Sequence, residues 1–222
     1  MTGRGSARRF YSWRVSSPRV APRRTQAQRR ATTIGALLDA AITSIAEIGY
    51  AKTTVVEIVT RAGLSQGALF RHFPTRLDLM IAVAQEVGER QISSFTAEFG
   101  TSSAEAGPRD MREAVLLVRD LATSDINIVL RELAFHARID EALRTRLSPI
   151  LENYYASMTR LADGMPELRE LSAARRRTLV MVLIAAFDGE ALRKPLAPDP
   201  DADTARIDML MLLAESYGVT LS

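Results

Sequence analysis

The 222-residue chain has no cysteine and only two histidines, His72 and His136. Disulfides, a thiol nucleophile and a cysteine-containing metal site are therefore excluded, and a nucleophile–histidine–acid triad has almost no material. A thiol-free chain suits the cytoplasm. No glycine-rich phosphate loop is present, and the abundant carboxylates fall on polar helix faces where solvation accounts for them. No catalytic site, metal or cofactor is expected. The longest purely apolar run, Leu179 to Phe187, spans nine residues, against the roughly 20 of a bilayer-crossing helix, so no membrane partner is expected. The alternation of period two that marks strands is also missing. The expected fold class is all-α.

Acidic residues are missing from positions 1–28, which carry seven arginines; residues 29–79 hold six basic and four acidic groups, and residues 80–222 hold 16 basic and 22 acidic. A basic front on an acidic back is the distribution of a polyanion-binding module joined to a body with another task. Residues 1–28 mix Arg, Ser, Pro and Gly without apolar periodicity and are expected to form a disordered basic arm. Such an arm either touches DNA phosphates or the minor groove, or is an extension without a role.

The centre of the sequence is the run from Thr53 to Arg76. Thr54 followed by Glu57 reads as a capping box, Val55, Ile58, Val59 and Ala62 share one helical face, and Gly63 suits a helix end. Ser65 caps a second short helix that opens with Gln66, Gly67 and Ala68 and stops at Pro74. Two short helices across a glycine turn are the geometry that lays a recognition helix in the major groove. Gln66 carries an amide able to read a base edge, Gly67 and Ala68 allow close approach, and Arg71 suits phosphate. His72 either meets phosphate or packs the helix end. Ahead of this run, Ile34, Leu37, Leu38, Ala41, Ile42, Ile45 and Ile48 recur at helical steps, predicting a covering helix from about Arg30 to Ile48.

The ordered run TTVVEIVTRAGLSQGALFRHFPTRLDL, preceded by ALLDAAITSIAEIGY, resembles the tetracycline-repressor (TetR) family of bacterial transcription regulators. The resemblance covers about a quarter of the chain; the remainder is similar in layout. It implies DNA-backbone contacts near Thr53 and Thr54, the latter being simply a cap when read without the family. Phe70 stands where the family usually has a phosphate-bonding tyrosine, and Arg76 where lysine is usual. The resemblance also implies a helix linking head to body, here beginning at Thr75 with Asp78 as a capping partner.

Beyond a small-residue loop at 100–108, helices are expected over 109–122, 125–139, 140–163 with a kink or break at Pro149, 172–194, and about 204–217. The division expected is an arm (1–28), a helix-turn-helix head (29–79) and a ligand-binding and dimerisation body (80–222). Phe95, Phe99, Met111, Phe135, Met158 and Phe187 exceed what a minimal bundle needs. Each alone reads as core; the resemblance implies a chamber for a partly apolar effector, with Asn127 and Tyr154 as polar handles. His136 is an ordinary histidine or a ligand contact. The resemblance further implies that the last two helices pair with their symmetry mates, through Leu179, Leu183, Leu210, Met211 and Ala214. Glu190 has no assigned role beyond a salt link to Arg193 or Lys194. Together these imply a homodimeric DNA-binding regulator, a repressor released from a palindromic operator by a small molecule. The alternative is a helical ligand-binding or scaffold protein whose head no longer engages DNA.

Overall fold

The structure, a computed structural model, describes residues 25–99 and 110–219, with the side chains of residues 98 and 99 outside that description. Most of the arm and the loop at 100–108 lie outside the described residues. Within them the chain forms α1 (Gln26–Ile48), α2 (Val55–Ala62), α3 (Gln66–His72), α4 (Arg76–Phe99), α5 (Met111–Ala122), α6 (Asp125–Ala137), α7 (Glu141–Asp163), a 3₁₀ turn (Pro166–Leu168), α8 (Ala173–Arg193) and α9 (Pro200–Ser216), with no strand among the described residues. The fold is all-α.

The helix ends follow the local chemistry. Thr54 Oγ1 accepts from the Glu57 N–H at 3.2 Å, but the Glu57 carboxylate turns to Arg61 instead of completing a capping box. Gly63 takes the left-handed conformation, φ 65°, that ends α2, where a Cβ would be strained. Thr75 and Asp78 form a reciprocal box at the start of α4. Two helices begin earlier than their apolar pattern predicts. α1 starts at Gln26 because Thr25 and Gln28 cap one another's N–H groups at 3.2 and 2.9 Å, so the last residues assigned to the arm belong to its first turn. α9 starts at Pro200, with Asp199 accepting from the Ala202 N–H at 2.9 Å and proline in the first helical position, where its missing N–H costs nothing.

α7 continues through Pro149 as one helix, so of the kink or break expected there the break does not occur. The proline is solvent-exposed, while Leu143 and Leu147 before it and Tyr154 and Met158 after it are buried. Anchorage on both sides holds the helix together, and water can reach the carbonyl left without its usual donor.

One continuous core runs from the head into the body: Leu37, Ile45, Ile58, Leu69 and Leu79 pack in the same cluster as Val129, Leu133, Leu143 and Leu147. A second core joins α5, α8 and α9 around Phe187 and Ile207. α1 is long and apolar enough by composition to cross a membrane, with mean hydropathy 1.4 over its best window, but its apolar stripe is the lining of the first core, with Leu37, Ala41 and Ile45 wholly buried.

Candidate nucleic-acid interface and effector chamber

Leu69 is the anchor of α3: it is fully buried, while Gln66, Gly67, Phe70 and Arg71 stand exposed on the opposite side. Ser65 accepts from the Ala68 N–H at 3.2 Å, fixing the helix start that carries them. Ala68 and His72 are half-buried at the edge of this face. Beside it the opening turns of α1 form the far wall of a shallow basin, where Arg29, Arg30 and Thr33 face Arg71 and His72. The apolar spacing of α1 gives no hint of these α1 residues as part of the interface, and the Thr25–Gln28 cap is the signal that would have extended the expected helix back past Arg30 to include Arg29.

Two residues assigned to DNA have other work. Thr53 is 1% exposed; its hydroxyl donates to Gly49 O at 2.9 Å and lies 3.1 Å from Ser44 Oγ. Its side chain is part of the corner between α1 and α2. Arg76 donates to Tyr50 O at 2.8 Å and to Thr53 O at 3.1 and 3.2 Å, and its guanidinium lies 4.3 Å from the centre of the Tyr50 ring. The charge expected at a phosphate instead clamps that corner. Thr54 is exposed as well as capping α2.

The same corner is tied to the body. The Tyr50 N–H donates to the Glu132 carboxylate at 3.0 Å, and the rings of Tyr50 and His136 lie 4.6 Å apart. His136 Nδ1 in turn lies 3.0 Å from Glu132 O. His136 therefore belongs to this junction and not to a ligand pocket.

Within the body, α4, α5, α7 and α8 surround an apolar cavity with about 620 Å³ of empty space, counting its mouth. Phe95, Met111 and Met158 line it, together with Leu179 and Leu183. A second, smaller cavity adjoins it and shares Phe95, Val118 and Ile184 as a common wall. Here the lining turns polar: Asn127 and Tyr154 are joined by Arg131, Tyr155 and Asp188. Tyr154 donates to Gln91 Oε1 at 3.0 Å, and the Asn127 amide donates to Ala122 O at 2.9 Å. Arg131 bridges Ala122 O at 2.8 Å and Asp188 at 3.1 Å. Burial pushes the Asp188 carboxyl up and Arg131 only partly opposes it; burial also raises the Tyr154 phenol well above its usual range.

Phe187 is fully buried in the core of α5, α8 and α9 and lines neither cavity. Phe135 is 66% exposed, on the outer side of α6 beneath the Arg138 guanidinium. Its helical neighbours suggest a core position, but α6 buries Val129, Leu130 and Leu133 instead. The Phe99 side chain lies outside the described residues. Neither Arg131 nor Asp188 is expected from the sequence at the chamber; an acid directly after the apolar run ending at Phe187 is the signal that could have found the second of them.

The outer face of α8 and α9 also differs from expectation. Leu179, Leu210 and Ala214 are buried within the subunit's own core, and Leu183 faces the cavity. Met211 is half-buried against the same core. The exposed apolar groups are Val182 and Leu192 on α8 and Met209, Leu212 and Leu213 on α9. Beneath that face Glu190, wholly buried as a side chain, pairs with Arg119 at 2.5 Å and Arg206 at 2.8 Å. Arg193, expected with Lys194 as an alternative partner for Glu190, pairs instead with Asp203 at 2.5 Å. Burial pushes the Asp203 carboxyl up, but Arg206, Arg193 and Arg119 outweigh it and hold the group below the usual carboxylate range. This network locks α5, α8 and α9 together.

A capped helix-turn-helix with an exposed reading face, fused to a helical bundle enclosing a chamber, defines a DNA-binding regulator of the one-component type. The model of bacterial regulatory proteins of the tetR family matches residues 37–83. The uncharacterized HTH-type transcriptional regulator Rv2912c of Mycobacterium tuberculosis is 37% identical over 190 residues, spanning 86% of this chain and 96% of that one. The HTH-type transcriptional regulator CymR of Pseudomonas putida is 28% identical over 201 residues, 88% of this chain and 96% of that one. Among solved structures, a TetR-family regulator from Mesorhizobium loti superposes with a TM-score of 0.66 at 18% identity, covering 86% of this chain and 99% of that one. A regulator from Saccharomonospora viridis in complex with choline does so with 0.62 at 18% identity, covering 88% and 100%. The chain belongs to the tetR family of bacterial regulatory proteins, and is an HTH-type transcriptional regulator.

Proposed function

We propose that the protein represses transcription as a homodimer on a palindromic operator and is released when a small molecule enters the bundle. The observation that carries the operator reading is the exposed face of α3, on which Gln66, Gly67, Phe70 and Arg71 project around a buried Leu69. A head that had lost its DNA role would have no reason to keep a capped helix start and a basic flank beside it. Phe70, 43% exposed, can meet a thymine methyl or a sugar where a tyrosine would bond phosphate.

The dimer reading rests on the outer stripe of α8 and α9. Val182, Ala185, Gly189 and Leu192 are exposed at steps of three and four, as are Met209 and Leu212 on α9, the spacing of a helix-packing seam with small residues at its centre. A twofold axis there places two α3 helices for two half-sites. The chamber reading rests on the paired cavities, and the structural neighbour that holds choline supports a small-molecule role for the bundle. α6 joins the two ends: Asn127 and Arg131 line the polar cavity while Glu132 and His136 hold Tyr50 of the head. A ligand that prefers one position of α6 shifts the spacing of the reading heads and with it the affinity for DNA.

Selection of the full-length protein against a random duplex library tests the function. An enriched palindromic motif is the expected result, and no enrichment over bulk sequence would overturn it.

A further inference from the structure

We propose that the effector is an uncharged, elongated molecule with an apolar body and one hydrogen-bond-donating end, such as an alcohol or phenol. This rests on the assignment of the bundle chamber to the effector and specifies its chemistry. The larger cavity offers only hydrocarbon and thioether side chains: Met111, Val115, Leu161 and Met165 are typical of its walls. None of them can satisfy a polar group, so whatever fills the cavity is apolar along that length.

The adjoining cavity decides the charge. Its two ionised groups already neutralise one another, Arg131 lying 3.1 Å from Asp188 with side-chain exposures of 13% and 33%. An anion seated on Arg131 would set itself against Asp188, and a cation seated on Asp188 would strip Arg131 of its partner. Either leaves a charge without its partner in a half-buried site, which opposes the new contact. A neutral group meets no such opposition. The Tyr154 hydroxyl donates to Gln91 and is also approached by the Asn127 amide, which leaves one lone pair with which to accept, and Asp188 has a second oxygen that can accept from an alcohol or phenol. The shared wall of Phe95, Val118 and Ile184 stands between the two cavities. A molecule spanning both needs those side chains to move.

Three probes with one hydrocarbon chain separate the cases: 1-decanol, decanoate and decyltrimethylammonium, titrated into the full-length protein by calorimetry without DNA. The expected result is binding of decanol at least tenfold tighter than either ion. Ala162→Phe, which fills the apolar cavity, should abolish decanol binding with circular dichroism unchanged; Val118→Phe serves where the first variant does not fold. Asp188→Asn removes the opposing charge and should bring decanoate to within a few-fold of decanol or beyond. Tighter binding of either ion by the wild type, no binding of any probe, or decanol affinity indifferent to the filled cavity would overturn the proposal. A protein that selects a palindromic operator yet binds none of the three keeps its regulatory reading and loses this one.

Discussion

At the scale of single residues, burial separates side chains that read DNA from those that build the reader. Gln66→Ala should relax base preference at one position per half-site by about 1–3 kcal/mol, seen as a flattened column in the selected motif. Arg71→Ala and Arg76→Ala should part company. The first should lower the dependence of log K on log salt by about 0.9 for each phosphate that is no longer neutralised. The second should leave that slope unchanged and reduce stability by about 1–3 kcal/mol, because three hydrogen bonds and the cation–ring interaction at the α1–α2 corner disappear. Parallel salt slopes for wild type and Arg71→Ala would remove Arg71 from the interface. The caps, the turn and the exposed start of α3 are legible in the sequence, since each depends on residues a few places apart. That Arg76 is consumed at the corner, or that Glu190 faces Arg119 and Arg206, is not, because those partners are 16 to 71 positions away; the burial of Thr53 is set by how the chain turns between α1 and α2.

At the scale of elements, periodicity reveals the helices but not which side of α8 and α9 turns inward. Both carry apolar residues nearly all round, so pattern alone cannot choose between a face seated on α5 and a face left for a second subunit. Val182→Arg and Leu212→Arg should therefore yield monomer in sedimentation velocity while folding is retained, since both sites are exposed in the subunit. Leu210→Ala should instead cost about 2–5 kcal/mol of subunit stability. An unchanged dimer in both arginine variants would move the interface elsewhere. α4 is the expected conduit between head and body, and it does run through both, but α6 holds the head more specifically. Glu132→Ala removes the acceptor of the Tyr50 N–H; amide exchange at Tyr50 should quicken while the core amides of α1 stay protected. Unaltered exchange at Tyr50 would show that α6 does not hold that corner.

For the whole molecule, charge and shared core set the limits of stability. Asp203 has its folded pKa held below the ordinary value near 3.9. Its contribution is thus fully present above that ordinary value and is lost as pH falls through the lower, folded one. Asp188 runs the other way: its raised pKa makes the ionised form a penalty, fully present above the raised value and gone in acid. Denaturant midpoints should therefore hold or rise slightly toward about pH 4, as the Asp188 penalty is relieved, and drop below it, and Asp203→Asn should shrink that acid drop. A drop of equal size in the variant would assign it to other carboxylates. The continuous core has a further consequence for engineering. A chimaera cut after residue 79 would leave Leu37, Ile45 and Ile58 without Val129, Leu133, Leu143 and Leu147, which complete their cluster. A portable head from this protein must carry the chain through most of α7, and operator preference is better transplanted by exchanging the exposed side chains of α3 on the intact scaffold.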